Sequence, residues 1–429
     1  MLFLFFHVIF VPMNFYLQKY GFQNPVINHV PSVNLETIVV IPCFNEPDII
    51  PSLNALNNAD QPNAGVEILI VINHGEIHSE EIKAQNAKTI AQIEEWKSKT
   101  LLNFPFFILK AFDLPKKHAG VGLARKIGMD EAVARFHQIQ KDGIILCFDA
   151  DAICEPNYFL NIEKHFIKNP KSPGAALKFA HPLEGNEYEE KVYQGIVYYE
   201  LFLRYYNQGL KYANLPFAFH TVGSSMAVRS SAYQKQGGMN KRKAGEDFYF
   251  LHKIIALGNF MEINDTCVIP SPRTSDRVPF GTGKAINDWM ETEMDDYLTY
   301  DVRIWDLLRE FVQTIPLLFE GKLENTPFYK NPIHQYFIKF LEINNFQEDL
   351  QGILKNSTDI HSFIKRFYAW LSAFRILKLV HYLRDEQFAN QPIFEQAKGM
   401  ALRNNFYADE ADEKALLIRY REHEANHHS

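Results

Sequence analysis

The feature that most constrains this chain is a repeated exit, in which an apolar run of strand type stops in polar residues and a helix-type segment follows. Residues 37–41 (TIVVI) lead into Pro42-Cys43-Phe44-Asn45-Glu46, and residues 66–72 (VEILIVI) into Asn73-His74-Gly75-Glu76. Residues 106–111 (FFILKA) lead to Asp113, and residues 144–148 (IILCF) to Asp149-Ala150-Asp151. Aliphatic runs without polar alternation belong to strands buried on both faces. Helix-type segments separate them, near 49–57, over 79–99 with Ile82, Ile90, Ile93 and Trp96 on one side, and from Gly120 onward. Alternation of this kind predicts an α/β, Rossmann-like domain with a mainly parallel sheet flanked by helices. Ligands in such sheets sit beyond the carboxyl ends of the strands, where all four polar exits fall.

The fourth exit carries the strongest chemistry. In an extended segment alternate residues point the same way, so Asp149 and Asp151 are placed to converge on one hard cation. A turn that opens with Asp is the plainer reading of the same residues. Further on, residues 175–179 (AALKF) read as a strand, 188–212 as a tyrosine-rich helix, and 221–228 as a small-residue loop entering a strand. The tyrosines suit an acceptor-binding wall, although helix packing explains them more simply. Glu246-Asp247 opens a helix that stops at Gly258, a position where acids also serve as ordinary caps. Residues 271–284 form a loop bearing Gly281, Gly283, Arg273, Arg277 and Lys284. Such a loop either cradles a diphosphate or is an ordinary mobile segment.

Beyond about residue 290 helical periodicity takes over, at 300–319, 333–341, 360–383 and 411–421. The predicted organisation is an apolar N-terminal extension (1–33), an α/β domain (34–290) and an all-helical C-terminal region (291–429). The first 13 residues (MLFLFFHVIFVPM) are too short to span a bilayer and lack the features of a signal peptide. Packing on the body is expected for them, with membrane contact as the alternative. The aromatic and basic stretch 363–383 fits a core helix of a bundle better than an interfacial one. The tail from Glu422 is expected to fray. A formal net charge of −7 argues against nucleic acid as the partner. Four cysteines without metal-ligand spacing suggest free thiols in a reducing, cytoplasmic setting.

Read together, the ordered pieces resemble family 2 glycosyltransferases of the GT-A fold. They are the strand ending Pro42-Cys43-Phe44-Asn45-Glu46, Gly120 through Ala124-Arg125-Lys126-Ile127-Gly128, Asp149-Ala150-Asp151, residues 222–228, Gly237-Gly238 and Gly245-Glu246-Asp247. The resemblance covers roughly residues 35–285. It implies a nucleotide-diphosphate-sugar donor, a hydroxyl acceptor (a saccharide or a lipid-linked one), and a divalent cation, Mg²⁺ or Mn²⁺, at Asp149 and Asp151. Asp151 would be the more direct ligand, with Asp149 toward the sugar or ribose. Glu46 and Asp113 would contact the nucleoside, and Asp247 would be the general base, oriented by Glu246. Pro42, Asn45, Asn73, Gly120 and Arg125 would complete the donor site, with Arg273 and Arg277 on the diphosphate.

Three positions depart from the family pattern. Asn73-His74 stands where an acidic pair is usual, the Gln-x-x-Arg-Trp signature of processive members is missing, and no histidine follows Glu246-Asp247 at a ligand position. The second departure points to single-sugar transfer. A sugar-phosphate nucleotidyltransferase is the competing enzyme reading, but residues 42–48 lack the Gly-rich basic loop it needs. A catalytically inactive scaffold is the third reading, and three unpaired acids at strand and helix ends speak against it.

Overall fold

The computed structural model describes residues 14–277, 281–292, 296–320, 326–406 and 410–426. The apolar stretch 1–13, residues 278–280 of the basic loop and the last three residues lie outside them.

Eight strands form one sheet. They are β1 (Leu35–Cys43), β2 (Gly65–Gly75), β3 (Phe106–Leu114), β4 (Ile144–Cys147), β5 (Ile153–Cys154), β6 (Gly174–Phe179), β7 (Met226–Arg229) and β8 (Met261–Ile269), in the spatial order β3-β2-β1-β4-β7-β6-β8-β5. The strands from β3 to β4 pair in parallel, as do β6 and β8, whereas β7 runs antiparallel to both its neighbours. The apolar runs read from the sequence are this sheet's centre. Ile38, Val40, Leu69 and Val71 face one core, and Val39, Ile41, Ile68, Ile70 and Ile72 face the other. Burial of both faces is why these strands show no polar alternation.

The helix Val121–Gln138 lies across β1 and β2 and is buried along most of its length. Its seat is tight: a Cβ built on Gly128 would come within 2.9 Å of Val71 Cγ2 and closer still to Val40 Cγ1. Gly128→Ala is therefore expected to destabilise the fold by about 1–3 kcal/mol. A lower urea midpoint at unchanged m-value checks this.

The described part of the N-terminal extension packs on the outer side of the same helix. Tyr16 donates to Asp130 (2.7 Å), and the backbone N–H groups of Val26 and Ile27 donate to Glu131 (2.9 and 3.1 Å).

The C-terminal region is helical except for a short antiparallel ladder between Leu298–Thr299 and Gln391–Pro392, which departs from the all-helical expectation. The apolar core on one face of the sheet continues into it without a break, from Leu69 and Val71 through Trp305 and Phe311 to Leu379 and Tyr420. The stretch 360–383 is two helices, Ile360–Trp370 and Ala373–Glu386, because Ser372 caps the second by accepting from Arg375 N. Phe363, Phe367, Ile376, Leu379, Val380 and Leu383 all point into the core. The last helix, Glu413–Asn426, does not fray at Glu422; it continues because Glu424 is drawn into a buried ion pair with Arg204.

Candidate active site

The polar strand exits open onto one cavity of about 360 Å³. Of the residues expected there, Pro42, Glu46, Asn73, Gly120, Arg125, Asp149, Asp151, Glu246, Asp247, Arg273 and Arg277 line it. Asn45 and Asp113 do not. Asn45 takes a left-handed conformation (φ 49°) and donates its N–H to Asn86 Oδ1 (2.9 Å). Asp113 is also left-handed (φ 51°), and its side chain is 74% exposed, beside His74.

Two arginine-centred networks organise the acids. Arg125, buried on the first turns of its helix, donates from Nη2 to Asp149 Oδ1 (2.6 Å) and from Nη1 to Glu246 Oε1. It therefore ties the exit of β4 to the start of the helix Glu246–Ile255. The guanidinium lies against bare backbone, since a Cβ on Gly223 would sit 2.6 Å from both Nη1 and Nη2.

In the second network Arg273 grips the fully buried Glu46 through both Nη atoms and meets Asp151 Oδ2 at 2.7 Å. Arg277 adds Nη1 to Glu46 (3.1 Å) and Nη2 to Asp151 (3.6 Å). The Glu46 carboxylate thus faces two arginines of the loop. Lys284, expected beside them, pairs with Asp288 instead.

Burial raises the Asp151 carboxyl above its usual range, opposed by Arg273. Glu246 is pushed up to about 7 by burial, against the pull of Arg125 and with the help of Asp247. Asp247 is raised by burial, again against Arg125, while its Oδ1 accepts the N–H of Phe248 (2.7 Å).

Asp149 and Asp151 keep partly exposed side chains, 38% and 26%, and the arginine contacts engage Oδ1 of the first and Oδ2 of the second. Among the described residues no three His, Cys, Asp or Glu side chains gather to hold an ion. Two carboxylates suit a Mg²⁺ or Mn²⁺ whose other ligands are water and substrate phosphate oxygens.

His181, just past β6, also lines the cavity, with Tyr199 and Leu203 of the helix Glu190–Tyr212. Its place was missed in the sequence; the polar exit of β6 was the available signal. His181 Nδ1 lies 2.8 Å from Glu200 Oε2. Glu200 also accepts from Arg204 (2.9 Å) and Arg421 (2.7 Å), and Arg421 donates to His181 O (2.8 Å). Burial works against the Glu200 charge, but Arg204, His181 and Arg421 hold the carboxyl well below its usual range. Its stabilising effect is in place above the ordinary carboxyl pKa of about 4.3 and is lost as the pH falls through the lowered folded value. Arg204→Met would leave the buried Glu200 with Arg421 and His181 alone and take the arginine from Glu424, with an expected cost of about 3–5 kcal/mol, read from urea unfolding.

The sheet, its strand-end cavity and the acids within it form an α/β arrangement that places polar side chains beyond the carboxyl ends of the strands. Residues 38–236 match the family model described as "Glycosyl transferase family 2". This segment, a little under half of the chain, is therefore similar to family 2 glycosyltransferases. No curated protein matches it. Among solved structures, similarity extends to S. aureus TarS 1-349 in complex with UDP-GlcNAc (12% identity, 79% of this chain and 92% of that one, TM-score 0.40). It extends also to TarS 1-349 in complex with UDP (13% identity, 88% and 95%, TM-score 0.39). Likenesses of this size carry no argument about function.

Proposed function

We propose that the protein is a metal-dependent, inverting, non-processive glycosyltransferase that moves one sugar from a nucleotide-diphosphate donor to a hydroxyl acceptor. The observation that carries this is the meeting, in one cavity, of Asp149 and Asp151 from the β4 exit with Asp247 from a helix start, where Arg125 joins Asp149 to the adjacent Glu246.

Asp247 takes the proton of the acceptor hydroxyl, and the freed oxygen attacks the anomeric carbon from the face opposite the diphosphate. The bond from that carbon to the β-phosphate oxygen breaks, and the electron pair leaves with the nucleoside diphosphate. Asp149 and Asp151 would hold a divalent cation, which would supply neutralisation of the diphosphate charge. Arg273 and Arg277 would exchange part of their contact with Asp151 for phosphate oxygens. Asn73, whose buried Oδ1 has no partner among the described residues, offers an acceptor to an N–H of the donor. Single transfer agrees with the missing Gln-x-x-Arg-Trp signature. A cytoplasmic site agrees with the four unpaired cysteines, and no described helix is long and apolar enough to cross a membrane.

Calorimetry against a panel of sugar nucleotides, UDP-GlcNAc among them, with and without Mn²⁺ tests the reading. Binding of at least one donor that strengthens with the metal is expected. If none binds, the reading fails; pyrophosphate release from a nucleoside triphosphate and a sugar phosphate would favour a nucleotidyltransferase.

The pH dependence follows from the acids. Asp247 must be ionised to accept a proton, and its pKa is raised, so activity falls as the pH drops through that raised value. The acid limb of kcat/KM is expected well above the ordinary Asp value of about 3.9. A pH–rate profile flat from 8 to 4 would exclude the assignment.

A further inference from the structure

The lip of the cavity carries a strip of cations that the donor reading does not use. Lys241, Arg242 and Lys243 are consecutive and exposed, and they lead directly into Ala244 and Gly245, which line the cavity, and so to Asp247. Lys243 lies close against the opposite rim: a Cβ on Gly120 would come within 2.9 Å of its Cα.

The strip extends across aromatic rings onto the C-terminal region. The Arg242 guanidinium sits 3.8 Å from the centre of the Tyr249 ring, Tyr249 lies 5.6 Å from Phe374, and Lys378 Nζ stands 4.7 Å from the Phe374 ring. At the other end Lys241 Nζ is 5.6 Å from the Phe22 ring.

These four cations lack a counter-charge, as do other exposed ones such as Lys116 and Lys117, and what sets them apart is the aromatic-stacked run they form at the lip of the cavity. Among the described residues no carboxylate lies within ion-pair distance of Lys241, Arg242, Lys243 or Lys378, whereas Arg125, Lys126, Arg135, Arg204, Arg273 and Arg277 all have one. Stacking on Tyr249 holds Arg242 in place, and the guanidinium edge remains able to donate to an anion.

We infer that this strip binds the acceptor, and that the acceptor is an anionic chain carrying repeated phosphate or carboxylate groups. The inference rests on the transferase reading of the cavity, because the strip leads directly into residues 244–247 of the cavity wall. A membrane surface fits less well. An interfacial helix exposes a broad apolar face, but the helix Ala373–Glu386 turns Ile376, Leu379, Val380 and Leu383 into the core. Phe374, 40% exposed, is its one large apolar side chain outside.

The test is fluorescence anisotropy of the full chain with labelled inorganic polyphosphate at stepped NaCl, with polyglutamate as the carboxylate arm and dextran as the uncharged control. Binding that weakens steeply with salt is expected for at least one polyanion, with none for dextran. The quadruple variant K241E/R242E/K243E/K378E should weaken it at least tenfold, and Phe374→Ala, which keeps every charge, by a few fold. The stronger arm assigns phosphate or carboxylate. Equal binding by wild type and the quadruple variant overturns the inference, as does binding to phosphatidylglycerol vesicles with neither soluble polyanion bound. Polyanion binding lost in the variant, without binding of any sugar nucleotide, would keep the anion site and remove the transferase reading. Sugar-nucleotide binding without polyanion binding would do the reverse.

Discussion

Asp247→Asn is expected to lower turnover by about 10²–10⁴-fold, the range that general-base catalysis supplies, while donor affinity changes little. The side chain opens a helix on the cavity wall, its Oδ1 already accepts the Phe248 N–H, and burial raises its affinity for a proton. Asn preserves size and the accepted hydrogen bond but takes no proton. Its effect should therefore fall on kcat and leave the calorimetric donor isotherm in place. Loss of donor binding in this variant would move Asp247 out of the proton chemistry and into the donor site. The ion pair of Arg125 with Glu246 keeps the neighbouring wall intact, so a folding defect is not expected.

Asp151→Ala is expected to abolish the part of donor binding that depends on Mn²⁺ and to reduce activity by at least about 10²-fold, as loss of several kcal/mol of charge stabilisation on the leaving diphosphate implies. Asp151 is also the counter-charge for Arg273 and Arg277. Its removal leaves both arginines with Glu46 alone and better able to meet a phosphate, so a metal-independent donor affinity should remain, read by titration in EDTA. A variant that bound donor as well as wild type, with the same response to Mn²⁺, would place the cation elsewhere. The two variants thus divide the labour: one loses the proton acceptor, the other the charge that meets the diphosphate.

Much of this site was legible in the chain. An apolar run buried on both faces and ended by acids is a local pattern, and it located Asp149, Asp151, Asn73 and Glu46 at one edge of a sheet. Asp247 was legible as a helix start, although caps and bases look alike in sequence. Asp113 was legible only as a strand end. The strand runs on to Leu114, and the left-handed turn at Asp113 leaves its side chain largely in solvent.

By itself, then, the sequence determined the sheet centre, the order of its exits and the acids placed on them, because strand and helix periods and the residues that end them act over a few neighbours. The tertiary structure alone decided which charges meet. Arg125 reaches Glu246 across 121 positions, Arg273 reaches Glu46 across 227, and Arg421 of the last helix reaches Glu200 across 221. A buried charge must find an opposite one, but the pairing is set by which elements the packed core brings together, and no local pattern records it.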